Sequence, residues 1–201
     1  MGPSAHLLHY AIGADGGHVN FLAVVEGPRD WPHPDKGLAA TNDAEALALF
    51  QGWHPAVTEM IAAVRHEARW GLFLARPLRR WRRGRVILLG DAAHAMLPHQ
   101  GQGANVTIED AVTLAELIAA DPRDLDGAFA AYEILRRPRT RVIQRASWMG
   151  NRALHLPNGP EAARRDALIA RFPEKFGWIH AFDALETARA GAPSSRRLGG
   201  I

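Results

Sequence analysis

Apolar and polar residues alternate with a period of two over residues 6–12 and 18–26, the pattern of strands covered on one face. In the second run Asn20, Leu22 and Val24 fall on one face, and Val19, Phe21, Ala23 and Val25 on the other. Gly13-Ala14-Asp15-Gly16-Gly17 between the runs predicts a hairpin. A Pro- and Gly-rich loop through Trp31, Pro32 and Pro34 follows. Thr41, Asn42 and Asp43 can cap a helix over residues 44–50, and Pro55 can open a second one to about residue 64. Residues 69–75 predict a strand that Pro77 ends. Residues 85–90 predict a short, solidly apolar strand of the buried, parallel-sheet kind.

The period then lengthens. A helix is expected from about Gly103 to Ala119, stopped by Asp121-Pro122. A long helical segment over residues 125–151 follows, in which Pro138 starts a new turn or kinks the axis. Pro157-Asn158-Gly159-Pro160 precedes a last helix near residues 161–170. The tail from Gly191, rich in Gly, Ser and Arg, reads as disordered.

Composition narrows the class. The chain has 201 residues, 47% of them apolar and 22% charged, enough for a globular core. No run of eighteen apolar residues predicts a membrane span, and no signal peptide precedes the first strand. There is no cysteine, which excludes disulfides and thiolate chemistry and fits a cytoplasmic location. Net charge is +3, with arginines gathered at Arg79, Arg80, Arg82, Arg83 and Arg85 and again at Arg136, Arg137, Arg139, Arg141 and Arg145. A solvated face is the favoured reading of both clusters over nucleic-acid binding, because no aromatic interleaving accompanies them.

One segment carries chemistry: Gly90-Asp91-Ala92-Ala93-His94-Ala95-Met96-Leu97-Pro98-His99-Gln100-Gly101-Gln102-Gly103-Ala104-Asn105, followed by Glu109-Asp110-Ala111. A strand over residues 86–89 would deliver Asp91 to its carboxyl end, where α/β sheets place ligands. A helix that contained Asp91 would end the flavin argument drawn from this pattern. Ala92 and Ala93 permit close approach, Gly101 and Gly103 permit unusual backbone geometry, and the helix that follows offers free N–H groups to negative charge or carbonyl oxygens. A reduced flavin carries negative charge over N1 and C2=O, which such donors stabilise. An ionised Asp91 only accepts hydrogen bonds, which suits ribityl hydroxyls, and Pro98 makes a rigid wall. His94 reads as a structural hydrogen-bonding residue. His94 and His99 share no helical face and have no carboxylate near in pattern, so no metal is expected.

The segment from Gly90 to Asn105 resembles the second FAD-binding motif of the flavoprotein aromatic hydroxylases, the salicylate and hydroxybenzoate hydroxylase group. Weaker resemblances keep the same order: His6-Leu7-Leu8-His9-Tyr10, Gly52-Trp53-His54-Pro55, Arg69-Trp70-Gly71-Leu72-Phe73, Tyr132-Glu133 with Arg136–Thr140, and Trp178–Ala184. The resemblance implies an α/β fold: a partial FAD-binding (Rossmann-like) domain with part of an antiparallel substrate-domain sheet and C-terminal helices. Residues 1–78 would be a partial substrate-binding domain, 79–151 the C-terminal part of the FAD-binding domain, and 152–201 a helical segment with a flexible tail. The implied cofactor contacts are Asp91, Ala92, Pro98, Gly101, Gln102, Gly103, Ala104 and Asn105, with Asp91 on the ribityl chain.

The implied function is a monooxygenase that uses FAD and NAD(P)H to hydroxylate an aromatic substrate with oxygen. Candidate substrate contacts are His9, Phe73, His99 and Gln100, and no general base is named. The family's Gly-x-Gly-x-x-Gly turn is absent, so the chain is expected to open within the substrate domain and to lack the adenine-nucleotide half. Two readings stay open: an oxidoreductase module, or a non-catalytic fragment or split half acting only through a partner chain. The expected partners are an aromatic small molecule and oxygen, with a missing N-terminal half or a second copy open as protein partners. Unpaired edges should leave Phe21, Val25, Ile87 and Leu89 partly uncovered.

Overall fold

In the computed structural model, the alternation near the N-terminus forms an antiparallel hairpin of β1 (Ala5–Ile12) and β2 (His18–Val25), paired from Ala5↔Val25 to Ile12↔His18. The structure describes residues 1–27, 30–31 and 37–191. Pro32 and Pro34 of the expected loop, and the expected disordered tail beyond residue 191, lie outside the described residues. The chain divides into two units, residues 1–72 with 152–166, and residues 73–151 with the chain from 167 onward.

In the first unit, one face of the hairpin (Ala5, Leu7, Phe21, Ala23 and Val25) packs with Phe50, Ile61, Trp53 and Val57. The helices that supply these residues start where their caps predict. In α1 (Asp43–Ala48) the Asn42 side chain accepts from the Glu45 N–H at 2.9 Å, and Thr41 donates to the Glu45 carboxylate. In α2 (Pro55–Ala62) proline occupies the first turn and His54 accepts from the Ala56 N–H. The expected strand over 69–75 shrinks to Ala68–Trp70 (β4), paired with Leu38–Ala40 (β3). Beyond it only the Gly71 N–H continues the pairing, to Gly37, so Leu72, Phe73 and Leu74 stay irregular and exposed.

The second unit corrects the expected parallel strand. Only Val86–Ile87 (β6) is extended, and it pairs antiparallel with Arg82–Arg83 (β5). Gly84, at φ 56°, lets a two-residue turn close this hairpin locally, so the apolar run spends its hydrogen bonds on its own neighbour. Val86 is 63% exposed, which no buried parallel strand would be. Helix α3 (Asp91–His94) follows, then α4 (Gly103–Ala120) and α5 (Leu125–Leu154). Helix α5 runs on through Pro138, which starts no new helix; buried Arg136, Thr140 and Ile143 flank it and hold the helix against the core. The helix over Pro160–Ile169 (α6) is not the last: α7 (Phe172–His180) and α8 (Ala184–Gly191) follow. Their core residues are widely spaced, Ile179 and Ala188 being the buried ones among the described side chains, which leaves a faint periodic signal.

Two cores hold this unit: Trp81, Ala93, Leu117, Ala128 and Tyr132, and a second made of Val106, Ile143 and Ile179 with Met96 and Phe176. Each fully covered aliphatic or aromatic side chain contributes about 1.5–3 kcal/mol. The fold is mixed α/β, with three small antiparallel pairs and long helices. No helix of the described residues is long and apolar enough to cross a membrane.

Phe21, Val25 and Ile87 are half-buried and Leu89 is 36% exposed, so all four are partly uncovered. The other hairpin face is barer: Leu8 is 55% and Tyr10 53% exposed, and Leu8 sits opposite Leu22. A bare apolar strand pair favours association. We expect light scattering after size exclusion to show concentration-dependent association, and Leu8→Lys with Leu22→Lys to abolish it. An unmodified chain that stays monomeric at all concentrations would refute this.

Candidate functional site

The residues from Gly90 to Asn105 form one turn, one loop and one helix start. Gly90 adopts φ 58°, and a Cβ there would lie 2.9 Å from the Thr107 hydroxyl oxygen on α4. Both the left-handed backbone and the close approach require glycine. Asp91 is the first residue of the one-turn helix α3, not the end of a strand: Leu88, Leu89 and Gly90 separate it from β6. The flavin argument drawn from the strand–glycine–helix pattern therefore fails. What remains is that Asp91 and Ala92 are exposed, while Ala93 and His94, at the other end of the turn, are buried.

Pro98 opens a 3-10 turn (Pro98–Gln100), Gly101 closes it at φ 61°, and buried Gln102 is the N-cap of α4. The first helical bond of α4 runs from the Val106 N–H to the Gln102 carbonyl, so the Gly103, Ala104 and Asn105 N–H groups stand at the free end. A Cβ at Gly101 or Gly103 would meet nothing within 4 Å, so the loop faces open space there. Gly101, Ala104 and Asn105 are exposed.

Beneath this exposed surface lies a buried ionic network. Asp110 on α4 is 0% exposed, and its Oδ2 accepts from the Gly90 N–H at 3.0 Å and from His94 Nε2 at 2.5 Å. An ionised carboxylate has no proton to give, so His94 carries its hydrogen on Nε2. Oδ1 accepts from Arg136 Nε at 2.7 Å, and Arg136 is itself 0% exposed. Burial alone would push the Asp110 carboxyl up, but hydrogen bonds from His94, Arg136 and Gly90 outweigh it and hold it below its ordinary value. Burial, and then the Asp110 charge, push the nearby Tyr132 phenol up.

The network continues outward. Arg136 also donates to Glu109 at 2.7 Å and to the Val106 carbonyl. Glu109 accepts two further bonds from Arg139, each 2.6 Å, and Arg139 donates to the Ile179 carbonyl. The Phe182 ring covers Arg139, 3.8 Å from its guanidinium carbon to the ring centroid. The solvated-face reading of the second arginine cluster is thus wrong for Arg136 and Arg139, while Arg141 and Arg145 are exposed. Helical spacing explains the split: residues 136 and 140 share the buried face with 143, 144 and 147. The expectation that His94 lacks a carboxylate is corrected too, because Asp110 lies sixteen residues away, about two turns inside α4.

That same face of α5 holds the loop. Gln144 donates to the Ala95 carbonyl at 3.0 Å, Ser147 donates to the Leu97 carbonyl, and Asn151 meets His99 at 3.0 Å. His94 is therefore structural, and His99 is committed to α5 in the same way. Gln100 is half-buried beside it; Phe73 and His9 are exposed, Phe73 in this unit and His9 in the other. Among the described residues no cluster of three metal-ligating side chains is present. A groove of about 650 Å³ lies apart from the loop, on Arg80, Arg82, Arg83, Gly84, Asp126 and Glu133. Its Arg82 is already paired with Glu133, and it offers no converging groups for chemistry.

Comparison with known proteins places the chain in a family. A family model described as "FAD binding domain" matches residues 33–147. The chain is 40% identical over 186 residues to a 3-amino-4-hydroxybenzoate 2-monooxygenase of Streptomyces platensis, covering 92% of this chain and 46% of that protein. It is 34% identical over 206 residues to the salicylate hydroxylase of Pseudomonas putida, covering 99% of this chain and 46% of the relative. A solved salicylate hydroxylase substrate complex superposes with a TM-score of 0.81 at 28% identity, over 96% of this chain and 49% of that one. The chain thus spans about half the length of the relatives it matches.

The lowered Asp110 carboxyl gives a signed expectation. A carboxylate depressed in the folded state stabilises the fold above its ordinary value of 3.8, and that contribution is lost as pH falls through the lowered one. Urea unfolding from pH 7 down to pH 2 should show stability falling in the acid range, with Asp110→Asn less stable at neutral pH and flatter in acid. Parallel profiles would mean that the carboxylate carries no linked proton.

Proposed function

Because the chain belongs to the FAD binding domain family, we propose that it holds the ribityl chain and isoalloxazine ring of FAD in a flavoprotein monooxygenase that hydroxylates an aromatic compound. The observation that carries this reading is the open surface formed by exposed Asp91 and the free N–H end of α4, inside the segment matched by the family. The donor set fits a flavin. Asp91 accepts from ribityl hydroxyls, the Gly103, Ala104 and Asn105 N–H groups donate to the oxygen-rich pyrimidine edge, and Gly101 leaves room for a ring to approach. Ala92 presents only a methyl to that surface, and Gln102 anchors the helix start from below. Pro98, with its fixed φ and no N–H, forms a wall that neither moves nor competes for hydrogen bonds.

When bound, FAD supplies the redox chemistry, taking reducing equivalents from NAD(P)H and activating oxygen toward an electron-rich ring. The chain's own share is binding, orientation and exclusion of water from one side. Relatives named as acting on aminohydroxybenzoate and salicylate support an aromatic acid as the substrate class. The alternative, a non-catalytic chain that acts only through a partner chain, draws on the bare apolar face of the β1–β2 hairpin.

Riboflavin tests the reading directly, because it carries the ring and ribityl chain without the pyrophosphate. Quenching of its fluorescence should report binding to the chain. Asp91→Ala should raise the dissociation constant roughly tenfold to a hundredfold through loss of charge-assisted hydrogen bonds. An unchanged constant would reduce Asp91 to a turn residue, and no quenching at all would favour the non-catalytic alternative.

A further inference from the structure

Helix α3 is a single turn, too short to hold itself. Its N-cap is Gly90 and its last residue is His94, and both ends bond to the same atom, Oδ2 of Asp110. The other carboxylate oxygen is fixed by the Nε of fully buried Arg136. Asp91 lies between the two clamped ends. Asp110 belongs to α4, whose free N–H groups are the second expected flavin contact. One buried carboxylate therefore joins the turn that carries Asp91 to the helix that carries the donors.

We propose that Asp110 is the positioning residue of the flavin site: by clamping both ends of α3 to α4, it sets where the Asp91 carboxylate stands relative to the α4 N–H donors. This rests on the reading of the segment as a flavin holder. Arg136 is its support, keeping the carboxylate from rotating away. Asp110 itself has no exposed surface to offer a ligand, and its carboxylate faces Gly90, His94 and Arg136. In Asp110→Asn one oxygen becomes a donor, so the side chain can serve the α3 ends or Arg136, but not both. Glu109 still pairs with Arg136 in that variant, so the guanidinium is not stranded.

Hydrogen exchange read by NMR tests the clamp without any ligand. In the unmodified chain the Gly90 amide should be protected like the amides in the middle of α4, although it lies outside regular structure. In Asp110→Asn, Gly90 and Ala95 should exchange at least about tenfold faster than in the unmodified chain, as expected for loss of a charge-assisted bond, while α5 amides change much less. Riboflavin affinity should fall by about tenfold with Asp91 intact. A Gly90 amide that exchanges as fast as an open loop in the unmodified chain overturns the clamp, even if the variant fails to fold. Uniformly faster exchange throughout the unit overturns it as well, since that marks a purely structural residue. Riboflavin binding that is equal in both proteins overturns the positioning role. An unmodified chain that binds no riboflavin removes the flavin reading itself, while the exchange ratio still judges the clamp.

Discussion

A carboxylate with no access to water must be answered by hydrogen-bond donors, and in this protein that demand falls on Asp110. Three bonds hold it, two from the ends of the α3 turn, Gly90 and His94, and one from Arg136 on α5. Arg136 then brings its own buried charge, which Glu109 answers, and Glu109 brings a second carboxylate, which Arg139 answers. The charges alternate outward until Phe182 and the Ile179 carbonyl close the series near the surface. Each inner member bonds groups on more than one element, so the elements are fixed as a set. That is why a glycine turn, the start of α4, the middle of α5 and the end of α7 share one arrangement.

The same logic explains a helix that buries polar residues. The loop from Ala95 to Gln102 has no strand beside it, so its carbonyls need donors from elsewhere. Helix α5 provides them with Gln144 and Ser147 on the face that also carries Arg136 and Thr140. The cost of burying these groups is offset because each finds a partner. A plain apolar face would pack as well but would leave the loop carbonyls unsatisfied, and the loop would not keep one shape.

Some of this was legible in the chain and some was not. The β1–β2 hairpin, the Asn42 and Pro55 helix starts and the bounds of α4 follow from local signals: alternation, capping side chains and proline. Of the two glycines expected to need unusual backbone geometry, Gly101 has a positive φ and Gly103 does not, because it already lies in the first turn of α4. The strand over 86–89 misled because an apolar run looks the same whether it is buried between neighbours or folded back through Gly84. Asp91 was placed at a strand end for that reason. The arginines at 136 and 139 misled because a charge run looks solvated unless its helical face is compared with the carboxylates it can reach. Glu109 and Asp110 lie twenty-six or more residues earlier in sequence, and only the packing of α4 against α5 brings them together. The one available signal was an adjacent acidic pair inside an apolar helix, opposed by arginines three residues apart on another.

The geometry also separates what is fixed from what is free. Five buried or half-buried members of the segment are tied downward: Gly90 and His94 to Asp110, Ala95 and Leu97 to α5, His99 to Asn151. Every residue expected to meet the flavin, apart from Gln102, retains surface: Asp91, Ala92, Pro98, Gly101, Gly103, Ala104 and Asn105. A binding loop gains most when its ordering is completed before the ligand arrives, since the ligand then loses less free energy to immobilising it. Ordering a loop from its exposed side would use up the groups needed for binding. Ordering it from beneath, through a carboxylate that water cannot reach, leaves Asp91 and the α4 N–H groups unspent. The buried ionic network is therefore better understood as preparation of a surface than as a source of stability, because an apolar core of the same volume could have stabilised the unit without holding this loop.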